Sequence, residues 1–311
     1  MYFAILMRKF HMLLTATALC IFIFSCKKNK GNSNPLLLSY AVYNAPNDSL
    51  RYDYVYDESN RLTHIYIKPQ SQSTATSYLI TYSNNQIVML YYNPFLPGMS
   101  HKDSIVLFID SRNLLTKRIG SHYTQSVPGV TSKTYSYDTT TYQYNSQGLK
   151  ISESFSGHDS TWENPLSPQT TVRQSTSSTT YTIANNNLTQ RVENSSTTQV
   201  VRNSSSTTTT KLGFEMTETF EYSSAYPNKT DFTNSLVLTE VNPITQIPIA
   251  AQYKNFPNKM TTVTKTKDGN GNVTSTVTSQ STYQHTYNSD GFVATKTDSN
   301  APGGYKYGYE R

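Results

Sequence analysis

Apolar and polar residues alternate one for one through most of the chain beyond residue 37. In "SLRYDYVY" Tyr52, Tyr54 and Tyr56 fall on one face, and in "YKYGYE" Tyr305, Tyr307 and Tyr309 do the same. A period of two is the mark of a strand with one covered face. Each run stops at four or five polar residues and restarts on an apolar one, as in "VYDESNRLTHI", "QYNSQGLKIS" and "TYNSDGFVATK". The residues before these turns are Tyr56, Tyr82, Ile109, Tyr144, Ile183, Tyr222 and Tyr287, with a degenerate copy at Tyr253, and they lie 26 to 39 residues apart. That spacing holds two strands, a tight turn and a variable loop. Asn, Asp and Gly supply the positive φ that hairpin turns need. Gly148 and Gly291 stand where a left-handed residue is most useful, and Asn113 and Asn187 can substitute.

One hairpin is barely stable alone, whereas hairpins laid side by side cover each other's tyrosine rows. The pattern therefore predicts an all-β fold. It is a single extended antiparallel meander of repeated β-hairpins, curled or part-sandwich, with very little helix outside a signal peptide. It occupies one domain, residues 38–311.

Composition agrees. The chain has 38 Ser, 44 Thr and 25 Tyr among 311 residues, which favours strands and turns over helices. Charged residues are only 15%, and abundant tyrosine argues against wholesale disorder. Hydroxyl-rich stretches such as "SKTYSYDTTT" (132–141), "RQSTSSTT" (173–180) and "NSSSTTTTK" (203–211) are expected to pair partly as strands, because Thr is β-branched and tolerates a wet sheet face.

The first thirty residues differ from the rest. Arg8-Lys9 precede an apolar stretch from Met12 to Phe24, followed by Ser25-Cys26 and "KKNKGNSN". The stretch is too short for a comfortable membrane span and suits a signal-peptide core. Met7 is an alternative start. "IFSC" resembles the lipobox of bacterial lipoproteins, and "FSCKK" resembles lipoprotein starts of the Bacteroidota. Ile23 and Ser25 match that pattern, and Phe24 departs from it. The resemblance implies cleavage before Cys26, acylation of Cys26 and a permanent membrane tether. The organisation is then a signal peptide at 1–25, a lipidated tether at 26–37 and the hairpin domain. Cys20 leaves with the signal, so the mature chain has no cysteine pair for a disulfide. By the same family pattern, surface-bound lipoproteins carry acids after the cysteine. Lys27-Lys28 therefore favour a position on the outer membrane facing the periplasm over the cell surface.

"YVYDESNRL", "YQYNSQGL" and "YNSDGF" resemble YD repeats, the tyrosine–aspartate hairpins of large bacterial shell and wall-associated proteins. Gly is missing from most copies here, and Asp is often Asn or Ser. The copies are too few for the closed shell that long YD arrays form. Short Bacteroidota lipoproteins with degenerate repeats and a tyrosine-rich C-terminus are the nearer likeness, over residues 38–311. That likeness implies architecture and is silent on activity.

Reactive chemistry is sparse. His64, His101, His122, His158 and His285 show no metal-ligand spacing, and "HExxH", "GxSxG", "GxGxxG" and P-loop motifs are absent. "HKD" at 101–103 and "GHD" at 157–159 place a carboxylate near an imidazole by sequence alone. "KDGNGN" at 267–272 lacks the Gly and Glu that a calcium loop needs at its sixth and twelfth places, so it is expected to be a hairpin turn. The +6 charge falls to +4 without Arg8 and Lys9 (24 basic, 20 acidic) and clusters nowhere beyond "CKKNK", which excludes a nucleic-acid binder. The chain is expected to be no enzyme and to use no cofactor or metal. Its expected role is structural or binding, with the membrane as partner through the anchor and a polysaccharide or another envelope protein as further partner. Flat aromatic side chains, Trp162 above all, are the candidates for glycan contact. The alternatives are a glycan-binding accessory lipoprotein and an envelope hydrolase whose carboxylates meet only in the fold.

Overall fold

The computed structural model describes residues 37–44, 49–69, 71, 76–92, 100–125, 132–163, 169–227 and 254–310, which belong to one compact unit, Leu37–Glu310. The proposed signal peptide, Cys26, most of the tether and Tyr253 lie outside the described residues. Sixteen strands follow one another with no helix between them among the described residues. They are β1 (Leu37–Asn44), β2 (Ser49–Tyr56), β3 (Leu62–Pro69), β4 (Thr76–Ser83), β5 (Gln86–Tyr92), β6 (Ser100–Ile109), β7 (Leu115–Gln125) and β8 (Lys133–Tyr144). Then come β9 (Lys150–Glu163), β10 (Gln169–Ala184), β11 (Asn187–Arg202), β12 (Thr207–Pro227), β13 (Asn255–Lys267), β14 (Val273–Tyr287), β15 (Val293–Asp298) and β16 (Ala301–Glu310). The hydroxyl-rich stretches at 173–180 and 133–141 are strand throughout, as their β-branched content predicts.

Every strand pairs antiparallel with its neighbours in sequence, and β1 pairs with β16 to close a barrel. The expected extended, curled or part-sandwich meander is therefore corrected to a closed one. An open meander of this length would leave two edges with unpaired N–H and C=O groups, and closure removes both. The closing pair, Ala41 with Tyr307 and Tyr43 with Tyr305, joins the two ends of the domain. No local pattern announces such a pairing.

The turns explain the repeated phrase. In five of them, starting at Asp57, Asp110, Asn145, Asp268 and Asn288, the side-chain Oδ1 of the first residue accepts N–H groups from the residues two and four further on. The fourth residue is left-handed in all five: Asn60, Asn113, Gly148, Gly271 and Gly291, with φ between 60 and 86°. An Asp or Asn to close the loop and an Asn or Gly to reverse it are thus the chemical content of the motif. "KDGNGN" is one of these turns. Asn187 is not left-handed. The pair with positive φ is Asn185-Asn186, and Asn187 starts β11, where its Oδ1 accepts the N–H of Asn255. After Tyr222, β12 runs on to Pro227, and the rest of that unit lies outside the described residues.

The anchor tyrosines do more than pack. The hydroxyls of Tyr56, Tyr82 and Tyr222 donate to the carbonyls of Leu38, Leu62 and Leu188 at 2.6–2.8 Å. Leu62 and Leu188 each follow the turn of the preceding unit, so in those two cases the tyrosine of one repeat is tied to the backbone of the one before.

One face of each strand looks into the barrel. Leu38, Tyr54, Leu62, Ile65, Ile80, Ile87, Met89, Leu107, Leu115, Phe256, Val293 and Tyr307 form a single buried cluster there. Strands β5 and β13 stand opposite each other in the strand order, and Met89 and Phe256 belong to the same buried cluster. A sixteen-stranded barrel is wide enough for a water channel. Here apolar side chains are buried at the end that carries β1's start and the turns at Asp57, Asp110, Asn145 and Asn288, and the Asp268 turn lies at the other end.

Candidate functional site

The interior changes character around the barrel. Strands β1–β7 and β15–β16 have 6 to 11 residues, and their inward side chains are largely aliphatic or aromatic. Strands β8–β14 have 12 to 21 residues and extend beyond that core. Their inward positions include Ser175, Ser177, Ser195, Thr197, Thr264 and Thr266, by pairing with Phe155, Phe214 and Met216. Inward-facing Phe214 and Val277 are nevertheless 40% and 62% exposed, so water enters this end.

Between the apolar core and the wet end lies a cluster of charges. Arg191 on β11 donates to Glu218 at 3.0 Å and to Glu193 at 2.5 Å. Lys150 pairs with Glu153 at 2.9 Å and sits over the Tyr181 ring at 4.7 Å. The Tyr181 hydroxyl bonds to both Glu153 and Arg191. Burial disfavours the charged form of Glu153, but Lys150 outweighs it and holds the carboxyl below its usual range. Burial likewise opposes the charge of Arg191, and Glu218 overrides it, so the guanidinium is held protonated. The Tyr181 phenol is pushed up, first by burial and then by Glu153. Each carboxylate faces a cation, so the cluster is suited to locking four strands in register.

The histidines scatter. His122 meets Asp103 on the neighbouring strand, inside the barrel beside the Arg118–Asp138 pair. His158 and Asp159, adjacent in "GHD", point to opposite faces, and His158 stacks on Tyr137 outside at 5.2 Å. His285 is buried inside against Phe256, at 5.1 Å between ring centres. Burial, then Lys296, pushes its pKa down to about 4. Among the described residues no three His, Cys, Asp or Glu come together as a metal site, and no helix is long and apolar enough to cross a membrane.

The outer wall carries the candidate surface. On β7–β9 the outward positions near the open end are Tyr123, Tyr135, Tyr137, His158 and Trp162, on three neighbouring strands. Tyr135 is 49%, Tyr137 59% and Trp162 54% exposed. Tyr123 lies 4.6 Å from Tyr135, ring centre to ring centre, and its hydroxyl donates to Gln125. Trp162 pairs with Lys133 and Thr170, so sequence reasoning singled out one member of a group. Period-two reading could have found Tyr135 and Tyr137, but not their joining to Trp162, which needs the register of β8 with β9. A second outward patch, aliphatic, is formed by Leu79, Val88, Leu90, Val106 and Ile119 on β4–β7. On β10–β14 the outer wall is mainly polar: Gln174, Thr176 and Ser178 on β10, Thr274, Thr276 and Thr278 on β14, and Glu215 bonded to Lys265 and Lys267.

These features define a closed up-and-down β-barrel with one packed end and one wet end. No family model matches the chain, and no curated protein matches it. Among solved structures it is similar to a porin-like protein from Bacteroides vulgatus, at 10% identity and a TM-score of 0.46. It is similar to another from Bacteroides uniformis, at 12% identity and the same TM-score. Each alignment covers 88% of this chain and 98% of the other. The barrel described above rests on this chain's own strand pairing.

Proposed function

We propose that this protein is a non-catalytic binding barrel of the cell envelope, standing in water and held to the outer membrane by acylated Cys26. The observation that carries the reading is the polarity of the outer wall. A barrel immersed in lipid needs an outward apolar band about 25 Å tall on every strand. On β10–β14 the outward positions are mainly Thr, Ser, Gln and Asn, with the Glu215–Lys265–Lys267 group among them. A lipidated, water-facing barrel accounts for both the signal and the wall. Lys27-Lys28 favour the periplasmic face. The neutralised carboxylates inside speak against the hydrolase alternative, and the apolar side chains buried at one end speak against a pore.

The test is fractionation. Labelled palmitate enters the parent chain and not Cys26→Ser. The Cys26→Ser protein leaves the membrane in alkaline wash, and the parent stays. Palmitate uptake by Cys26→Ser overturns the anchor, and retention of Cys26→Ser in the washed membrane overturns the water-facing wall.

A further inference from the structure

We propose that the outward rings of β7–β9 bind an extended acidic polysaccharide. The inference rests on the binding role proposed above and names its surface and ligand class. Three observations converge. The rings of Tyr135, Tyr137 and Trp162, on the outer face toward the open end, are about half exposed. They are spread over adjacent strands, Tyr123 opposite Tyr135, Tyr137 opposite His158, and Trp162 one outward step beyond Ser160, the partner of Tyr135. Strands lie about 4.8 Å apart and outward residues about 7 Å apart along a strand, so the rings form a flat patch several sugars long. Aromatic faces with polar tips suit sugar rings, which present C–H groups on one face and hydroxyls at the edge.

The surroundings select the partner. Between and beside the rings stand Ser121, Gln125, Ser160 and Gln174, neutral hydrogen-bonding groups suited to hydroxyls. The aliphatic side chains that a membrane or a protein core would want lie instead on β4–β7. The charges are sorted as well. Asp138, Glu153 and Asp159 of β8 and β9 point inward, by pairing with Gly120, Tyr142 and Ser136, and exposed Glu163 at the end of β9 alternates to the face opposite Trp162. Lys133, beside Trp162, points outward. The patch thus offers cation and no carboxylate, which matches a chain of uronate sugars.

Affinity electrophoresis of the full Cys26→Ser chain tests this, with alginate, polygalacturonate and hyaluronate in the gel and a neutral glucan as comparison. An acidic polysaccharide is expected to retard the protein. Trp162→Ala and Tyr137→Ala should each weaken binding about tenfold, the scale of one lost stacking contact. Lys133→Ala should weaken it and flatten its salt dependence. Leu90→Ala, on the other patch, should leave it unchanged. All four positions face solvent, and unchanged melting curves confirm that the variants fold. The proposal is overturned if no acidic polysaccharide retards the chain, if only the neutral glucan does, or if both ring variants bind as the parent. It is also overturned if the ring variants instead lose binding to phosphatidylglycerol vesicles in the absence of any retardation. The fractionation result is independent of all these outcomes, so the anchor and the ligand can fail separately.

Discussion

The two halves of the barrel wall use the same hairpin and opposite interiors. In β1–β7, β15 and β16 the inward residues are largely Leu, Ile, Met and Tyr, with Asp103, Arg118, His122 and Lys296 among them, and Ile65, Met89 and Leu107 are fully buried. In β8–β14 the inward residues are largely Ser, Thr and paired charges, and the strands are up to 21 residues long. The short half is held by removal of apolar surface from water, at roughly 25 cal/mol per Å². The long half has little of that. It is held by ladder pairing, by hydroxyl pairs such as Ser175–Thr197 at 3.0 Å, and by the Arg191 cluster. Length and interior polarity therefore go together. A strand that projects past the core has both faces wet, and β-branched Thr is the residue that keeps a strand while wet.

The strongest way to break this contrast is to remove Arg191. Arg191→Met leaves Glu193 and Glu218 half-buried without their cation, an expected loss of about 3–5 kcal/mol. Chemical denaturation should show it, and the spectroscopic change should concentrate in the long half. Next is Leu107→Ala, which opens a cavity in a fully buried site and is expected to cost about 3 kcal/mol. Thr197→Ala, also inward but in the long half, loses one hydroxyl pair and should cost about 1 kcal/mol or less. Equal losses at Leu107 and Thr197 would show that the two interiors are not different in kind.

Acid should act on the interior as well. His285 has an ordinary pKa near 6.5 and a folded value pushed down to about 4, because burial and Lys296 disfavour its charge. Its contribution is complete above pH 6.5 and is lost as pH falls from 6.5 through 4, since the unfolded chain then binds the proton more readily. The loss is at most about 3 kcal/mol, and less where water reaches the ring. His285→Gln should flatten the stability curve between pH 6.5 and 4. A curve unchanged by the substitution would remove His285 from the acid response.

Much of this was legible in the sequence, and the limits follow from distance along the chain. The alternation around Tyr52 and Tyr54, the turns at Asp57 and Asn288 and the strand character of "RQSTSSTT" depend on neighbours a few residues apart. Closure depends on Ala41 meeting Tyr307, and nothing near either residue encodes that. The aromatic patch was half legible. Trp162 stands out as the only tryptophan, but its company depends on the register of β8 with β9. The Asn187 expectation failed by one residue, because Asn185-Asn186-Asn187 offers three turn formers and only packing and the bond to Asn255 decide among them. The sorting of carboxylates inward and rings outward on β8 and β9 is a period-two fact, visible once the strands are known. The tether at Cys26 stands as a separate inference from the first thirty residues.

A smaller effect belongs to the turns. Gly148 has φ of 79°, a left-handed conformation in which a side chain is strained, and Leu114 lies 3.7 Å from where a Cβ would be. Gly148→Ala is expected to cost about 1 kcal/mol, and Gly148→Asn less, because Asn60 and Asn113 serve in the same place elsewhere. Thermal melting distinguishes the two. An alanine variant as stable as the parent would show that the repeat does not depend on its left-handed residue.

The smallest effect is expected outside. Glu215 bonds to Lys265 at 2.6 Å and Lys267 at 2.8 Å, and those hydrogen bonds pull its pKa down to about 2. Such a pKa would signal a strong interaction in a dry site. On a wall that faces water, solvent and salt screen the pair, and holding three long side chains in place offsets what remains. Glu215→Gln should therefore leave the urea midpoint unchanged within error, at low salt and in 1 M NaCl alike. A loss as large as that of Gly148→Ala, and insensitive to salt, would mean that this part of the outer wall is shielded from water. It would count directly against a barrel that stands free of the membrane. The same substitution inside, at Glu218, should be costly, because there the cation left behind is Arg191 in a buried cluster.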